Sequence, residues 1–288
     1  MKILLIGGTG FIGHNLARCW APRHCVHTVG CVKKGATFEL DLMDMGVSRE
    51  IEDIGGEHCY DAVVYAAGHK DVEWCEQHKV DARVVNADAA GEVAYVSRGC
   101  QFVYISDSYV FDGHERAEGK GNFSEKDAPR PKTVYSATKR LGEVFTQQRH
   151  HQSLIVRTSS VYGHGASILP WLRTVASPGM CVPLWHDRTI SPTYVDDLAR
   201  AIESLLIRNA TGVFHVAGVP QNRAQWLLRM AVNFNINTAK MESTSAPDDC
   251  RVPKNLSLWC EKLKTNEMPR SHTSNLAQWV KLEEVPHG

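Results

Sequence analysis

The chain opens on KILLI (residues 2–6) and bends at once through Gly7-Gly8-Thr9-Gly10-Phe11-Ile12-Gly13. A run that is apolar at four successive positions suits a strand buried on both faces. The G-x-x-G-x-x-G loop behind it has three demands to meet. It needs a tight turn, a close approach of backbone to a bound anion, and close packing of helix on strand, and glycine meets all three because it has no Cβ. The helix that starts at Phe11 then offers free N–H groups and the positive end of its dipole to a pyrophosphate. A glycine pattern carries meaning in this order of strand, loop and helix. It predicts a dinucleotide site built on Gly7, Gly10, Phe11, Ile12 and Gly13.

The rest of the chain continues the theme. Short apolar runs at 25–29, 36–40, 61–65, 101–105 and 153–156 alternate with helical spacing at 11–20, 80–98 and 134–148. That alternation predicts an α/β fold, a Rossmann-type doubly wound parallel sheet covered on both faces. Beyond about residue 160, Pro170, Pro178, Pro183 and Pro192 punctuate the pattern. Helices are expected there at 195–207 and 221–234, a strand at 212–216 and a loop at 243–255. We expect residues 1–160 to form the NAD(P)-binding domain, with some later segments returning to it, and residues 161–288 to form mainly a smaller C-terminal α/β substrate lobe.

Composition excludes several classes. Lys+Arg and Asp+Glu balance at 32 each, so no net field draws the chain to nucleic acid or to an anionic membrane. No apolar run approaches the ~20 residues of a spanning helix, and the opening run is too short for a secretory signal. The nine cysteines are odd in number and contain no C-x-x-C pair, which fits reduced thiols in a cytoplasmic protein. The fourteen histidines show no metal-ligand spacing, and no metal is expected.

An NAD site usually places an acid at the end of the second strand to bind the ribose hydroxyls. Here the segment reads Val29-Gly30-Cys31-Val32-Lys33-Lys34. Lys33 and Lys34 can pair with a 2′-phosphate, so NADP(H) is favoured over NAD(H); a solvated loop is the plainer reading of two adjacent lysines. Asp41 and Leu42 follow the third strand, where the adenine edge lies. Ala66, Ala67 and Gly68 follow the fourth and are small enough to let the middle of a cofactor pass.

Tyr135-Ser136-Ala137-Thr138-Lys139 is a Y-x-x-x-K pattern on an expected helix, which puts phenol and amine on one face. A lysine there can lower the pKa of the phenol and hold a nicotinamide ribose. The tyrosine can then give a proton to a carbonyl oxygen as hydride reaches its carbon.

Taken with GGTGFIG (7–13), LDLMD (40–44), VVYAAG (63–68), VNADAAGEVA (85–94), YISDSYVFDG (104–113), RTSSVYG (157–163) and SPTYVDDLARAI (191–202), this pattern carries a likeness. The chain resembles the extended short-chain dehydrogenase/reductase family, and within it the dTDP-4-dehydrorhamnose reductases and related nucleotide-sugar reductases. A looser echo lies in RVPKNLSL (251–258). The resemblance implies an NAD(P)-dependent oxidoreductase whose C-terminal lobe binds a nucleotide-sugar. It implies reduction of a 4-keto-6-deoxy nucleotide-sugar, with hydride from nicotinamide C4 and Tyr135 as proton donor. Many relatives pair as homodimers, though no exposed apolar stripe in this sequence forces that assembly.

One departure stands out. In such reductases the fifth strand ends S-[ST]-D-Y-V-F-D-G, and its second hydroxyl bonds the substrate carbonyl. Alignment on Tyr109-Val110-Phe111-Asp112-Gly113 puts Asp107 in that slot, between Ser106 and Ser108. A hydroxyl can donate to an oxygen gaining charge, whereas an ionised aspartate only accepts. Three readings stay open: Ser106 or Ser108 reaches the site; Asp107 is protonated or serves another substrate geometry; or reductase activity is reduced or lost. The catalytic candidates are therefore Tyr135, Lys139, Ser106, Asp107 and Ser108. The substrate-binding candidates are His69 at the C-terminal edge of the sheet, Tyr109, and Arg188 as a partner for a diphosphate. Asn86 is expected to bond backbone between central strands. The polar stretch 114–126 reads as a flap beside the site. Two alternatives accompany the reductase: an epimerase or dehydratase that recycles bound NAD, and a non-catalytic regulatory protein like the methionine adenosyltransferase subunit among the family's relatives. The intact Tyr135/Lys139 pair argues against the latter.

Overall fold

A computed structural model describes the chain except for Cys31, Met45, residues 114–122 and 177–181, Lys240, Asp248, Asp249 and residues 284–288. Its main sheet contains β1 (Lys2–Ile6), β2 (Cys25–Gly30), β3 (Phe38–Glu39), β4 (Ala62–Tyr65), β5 (Gln101–Asp107), β6 (Leu154–Thr158) and β7 (Gly212–His215). The spatial order is β7-β6-β5-β4-β1-β2-β3, and every pairing is parallel. The order reverses between β1 and β4. In an open parallel sheet the crevice at such a reversal is where ligands bind.

The central strands are apolar throughout because both faces are covered. Ile3, Leu5, Val64, Val103 and Val156 face α1 (Phe11–Trp20) and α8 (Val195–Ile207), with Leu16, Trp20, Leu198 and Ile202 packed on them. Leu4, Ile6, Val63, Tyr65, Phe102 and Tyr104 face α2 (Val47–His58) and α5 (Ala89–Val96), against Ile51, Ala90 and Val93. Alternate residues of each strand thus feed two separate cores.

Beyond β6 the chain makes three short pairings: Val161–Tyr162 with Thr193–Tyr194, Thr189–Ile190 with Gln221–Asn222, and Val182–Trp185 with Met241–Thr244. A third core gathers Tyr162, Leu184, Tyr194, Trp226 and Leu227 around Trp279, using α7 (Ile168–Val175), α9 (Arg223–Asn233) and α10 (His272–Glu283). Phe11, at the start of α1, packs against this third core, so the glycine loop touches both regions.

The structure differs from the sequence reading in three places that matter to the site. The helix expected at 80–98 is broken into α4 (Lys79–Arg83), a π-type segment Val84–Asp88, and α5. The wider turn leaves carbonyls open. Tyr65 Oη donates to Val85 O and Tyr104 Oη to Asn86 O, both at 2.6 Å. Second, β5 runs two residues past the expected end at Ile105 and includes Ser106 and Asp107. Third, α2, α10 and α3 (Val72–Gln77) carry helical patterns too short or too polar to stand out.

The helix α6 (Val134–Arg149) is fixed to the sheet by one buried carboxylate. Glu143 accepts from Arg157 Nε and Nη2 of β6, each at 2.8 Å, from Ser106 Oγ of β5 at 2.6 Å, and from Arg140 at 2.8 Å. Burial pushes the Glu143 carboxyl up, but the bonds from Arg157, Ser106 and Arg140 outweigh it and hold the group below its usual 4.5. Breaking a buried pair leaves its partner charge unpaired. Glu143→Gln should therefore cost about 3–5 kcal/mol in chemical denaturation at neutral pH. Because the folded pKa is depressed, the stabilisation is complete above about pH 4.5 and fades as pH falls through the folded value. The gap between wild type and variant should narrow in that acid window.

Candidate active site

The glycine loop sits at the C-terminal end of β1. Gly7 has φ +81°, and the N–H groups of Gly7 and Gly8 both donate to Val29 O, at 2.9 and 3.1 Å. A Cβ on Gly7 would lie 2.6 Å from Ala67 N, and one on Gly13 2.2 Å from Gly7 O. The turn is closed and α1 presses directly on it. The helix begins at Gly10 with no side-chain cap and no acid in its first turn. Its leading N–H groups therefore suit an anion. The side chains of Phe11 and Ile12 pack into the third and first cores, leaving their backbone to the crevice.

Ala66 and Ala67 line the other side of the crevice at the end of β4, one packed toward each sheet face. A Cβ on Gly68 would meet Asn86 Oδ1 at 2.8 Å. Asn86 is wholly buried. It accepts from His69 N–H at 2.9 Å and donates to His69 O at 3.1 Å and to Thr138 Oγ1 at 3.0 Å. The loop after β4 is thereby tied to α6. Lys33 and Lys34 are exposed on a 3₁₀ turn, Val32–Lys34, following β2. Asp41 is exposed and accepts from Met43 N–H at 2.9 Å, while Leu42 packs against the second core. A cradle that any Cβ would fill, at a helix N-terminus on the switch point, fits a dinucleotide.

Facing this crevice, the start of α6 is held rigidly. Thr133 and Ser136 form a reciprocal capping box, and Glu76 of α3 accepts from Val134 N–H at 3.0 Å. Tyr135 follows immediately and is 6% exposed. Its ring meets Tyr109 edge-on at 5.7 Å. Lys139, one turn on, is buried; its Nζ donates to Ile105 O at 2.7 Å and lies 4.2 Å over the Tyr104 ring.

These groups perturb one another. Burial raises the Asp107 carboxyl, against lowering from Tyr109 N–H, Lys139 and the Tyr135 hydroxyl. Burial also drives the Tyr135 phenol well above its usual 10, and the Asp107 charge adds to the rise. Burial lowers Lys139 to about 8, with Asp107 and Glu143 opposing it.

The two serines are bonded elsewhere. Ser106 shares its strand face with Phe102 and Tyr104 and is captured by Glu143 at 2.6 Å. Ser108 Oγ donates to Ser159 Oγ at 3.1 Å. Asp107, the last residue of β5, accepts from Tyr109 N–H at 2.8 Å. Ser108 Oγ also lies 3.5 Å from Asp107 Oδ1, so both serines have buried partners.

The far wall comes from later in the chain. Arg188 is 4% exposed and pairs with Asp187 at 2.5 Å, and its buried Nε has no partner among the described residues. Arg223, at the start of α9, lies 5.1 Å over the Trp185 ring. Burial lowers its pKa; the phenol of Tyr109 and the thiol of Cys250 oppose this, and Arg188 adds to it. Sequence reasoning named Arg188 and not Arg223, which looks like an ordinary first-turn helix residue behind its Asn222 cap. A cavity of about 530 Å³ opens between Thr133 at the head of α6 and the segment from Cys250 to Pro253.

His69 is exposed, and its ring stacks on Trp74 at 3.9 Å; Trp74 in turn packs against the cluster around Tyr135. Of the flap expected at 114–126, residues 114–122 lie outside the described residues. Phe123 is anchored: its N–H donates to Ser257 O at 3.0 Å and its ring stacks on Phe111 at 4.4 Å. Among the described residues no group of three metal-ligating side chains comes together, and no helix is long and apolar enough to cross a membrane.

Comparison with known proteins agrees with this geometry. The family described as the RmlD substrate binding domain matches residues 1–284. The chain is 32% identical over 219 residues to the spore coat polysaccharide biosynthesis protein SpsK of Bacillus subtilis, covering 75% of this chain and 73% of that one. It is 24% identical over 279 residues to methionine adenosyltransferase 2 subunit beta of Bos taurus, covering 92% and 82%. The crystal structure of dTDP-4-dehydrorhamnose reductase from Bacillus anthracis in complex with NADP superposes with a TM-score of 0.84 at 25% identity, over 98% of this chain and 99% of that one. With the parallel sheet, the glycine cradle and the Tyr135–Lys139 pair in place, the chain belongs to the RmlD substrate binding domain family of extended short-chain dehydrogenase/reductases.

Proposed function

We propose that the protein is an NADPH-dependent reductase of a 4-keto-6-deoxy nucleotide-sugar. The observation that carries this reading is the placement of Tyr135 and Lys139 on α6, across the crevice from the glycine cradle, with Lys139 bonded to Ile105 O of β5. A bound nicotinamide supplies hydride to the ketone carbon. Gly7, Gly10 and Gly13, with the N–H groups at the start of α1, bind its pyrophosphate. Lys139 holds the nicotinamide ribose and supplies the positive charge beside the phenol. Tyr135 gives its proton to the ketone oxygen, and Tyr109 closes the pocket edge-on to it. Arg188 and Arg223 pair with the diphosphate of the sugar nucleotide, so residues 161–288 supply most of the substrate side and residues 1–160 the dinucleotide side.

Two observations favour NADPH over NADH: the exposed Lys33–Lys34 turn, which has no acid at the end of β2, and the NADP complex of the Bacillus anthracis relative. The alternative is a dinucleotide-binding regulatory protein. It is favoured by Asp107 in the hydroxyl slot and by the likeness to the methionine adenosyltransferase subunit. A recycling epimerase or dehydratase would carry NAD through purification.

The reductase reading is tested by following NADPH absorbance with a dTDP-4-keto-6-deoxy sugar. Wild type should consume NADPH, and Tyr135→Phe should lose about 100-fold or more in kcat/KM while binding NADPH unchanged. Tight NADPH binding without turnover in the wild type would sink the reading in favour of the regulatory one. Replacing Lys33 and Lys34 by alanine should weaken NADPH about tenfold and leave NADH unaffected, by equilibrium binding.

A further inference from the structure

Glu76 stands where three parts of the chain meet. It lies on α3, whose Trp74 and Cys75 pack with Val134 and Tyr135 of α6 in one apolar cluster. Its Oε1 accepts from the N–H of Val134, the first residue of α6 and the one before Tyr135, at 3.0 Å. The same oxygen lies 3.4 Å from Arg251 Nη1, which comes from much later in the chain. The Glu76 side chain is 21% exposed and that of Arg251 is 51% exposed. One carboxylate oxygen thus serves a backbone donor beside the phenol and a guanidinium from the C-terminal part of the chain.

The segment that carries Arg251 is docked just beyond it. Thr189 N–H donates to Lys254 O and Leu256 N–H to Thr189 O, both at 2.9 Å, and Leu258 N–H donates to Ser191 Oγ at 3.1 Å. Pro253 lies so close to Gly113 that a Cβ on that glycine would come within 2.3 Å of Pro253 Cβ. The cavity of about 530 Å³ is lined by Glu76, Lys132 and Thr133 and by Cys250, Arg251 and Pro253. The ion pair therefore joins one set of lining residues to the other. A pair this exposed adds little stability by itself. Two donors on one oxygen do not act independently, however. Each fixes the carboxylate that the other needs, so the loss of either is felt at the other.

We propose that Glu76 is a positioning residue that ties the Arg251 wall of the cavity to the placement of the proton donor Tyr135. The inference rests on the reductase reading above and deepens it, because it names the contact that couples the substrate side of the site to the phenol. Glu76 touches none of the reacting atoms. It acts through Val134 N–H and so, with the Thr133–Ser136 capping box, sets the head of α6. With Arg251 in place the carboxylate is held on that N–H, and the Tyr135 ring keeps its edge-on contact with Tyr109. With Arg251 removed, the Glu76 side chain regains rotamer freedom, Val134 N–H loses a fixed acceptor, and the head of α6 opens more often.

Hydrogen exchange at the Val134 amide tests the coupling with neither cofactor nor substrate. Arg251→Gln should speed that exchange about threefold, the size expected for loss of one exposed ion pair. Glu76→Ala should speed it about tenfold or more, because a charged acceptor is lost outright. The double variant should match Glu76→Ala alone, since the cation then has nothing to act through. In assays of NADPH consumption, Glu76→Ala should lower kcat about tenfold as the phenol loosens. Glu76→Gln should recover most of that kcat, because its amide oxygen still accepts from Val134 N–H. Glu76→Gln and Arg251→Gln should share a KM for the keto sugar raised about threefold. Thermal unfolding and NADPH binding verify that each variant folds. Unchanged Val134 exchange in Arg251→Gln, additive exchange effects in the double variant, or equal kcat for Glu76→Ala and Glu76→Gln overturns the proposal. The expected exchange pattern in a protein that binds NADPH but reduces no 4-keto sugar overturns the reductase reading instead and leaves the Glu76 coupling standing.

Discussion

A carboxylate with no solvent exposure, Glu143, receives four hydrogen bonds from three elements of the fold. Two come from Arg157 on β6, one from Ser106 on β5 and one from Arg140 on its own helix. A buried charge of this kind is tolerable only when every lone pair is engaged, and its geometry is correspondingly strict. It therefore fixes the rotation of α6 about its axis and its height above the sheet. Lys139 is one turn before Glu143 and Tyr135 one turn before that, so the same constraint sets where the phenol and the amine stand.

The opposite wall of the crevice is set by absence of side chains. Gly7 and Gly13 bring β1, the loop after β4 and α1 within distances that no Cβ would permit. Asn86 then links the β4 loop to α6 through His69 and Thr138. The π-type segment serves this link, because its wider turn lets Tyr65 and Tyr104 of the sheet bond the carbonyls on either side of Asn86's position in the helix. Functional sites often coincide with such breaks in regular structure. The glycine cradle and the helix carrying Tyr135 and Lys139 are thus joined by a short chain of buried polar contacts.

The third component is electrostatic. Arg188 is buried, with its Nε unpartnered among the described residues, and Arg223 lies over the Trp185 ring. Asp107, Tyr135 and Lys139 are titratable groups that shift one another.

The sequence by itself determined the parts whose chemistry is local. Glycines 7 to 13 announce a cradle because only a missing Cβ allows it. The apolar runs announce a doubly covered parallel sheet, and α1 and α8 appear with the expected bounds because their apolar spacing is strong. Tyr135 and Lys139 share a face because four residues make about one turn. Only the tertiary structure decided what each member of Ser106-Asp107-Ser108 does. The partners of the two serines, Glu143 and Ser159, lie 37 and 51 residues away in the chain, and nothing local says which side chain each will meet. Arg223 escaped for the same reason. Its role depends on a helix start from one part of the chain coming beside Trp185 and Tyr109 from two others, and such a meeting leaves no mark on the residues flanking it.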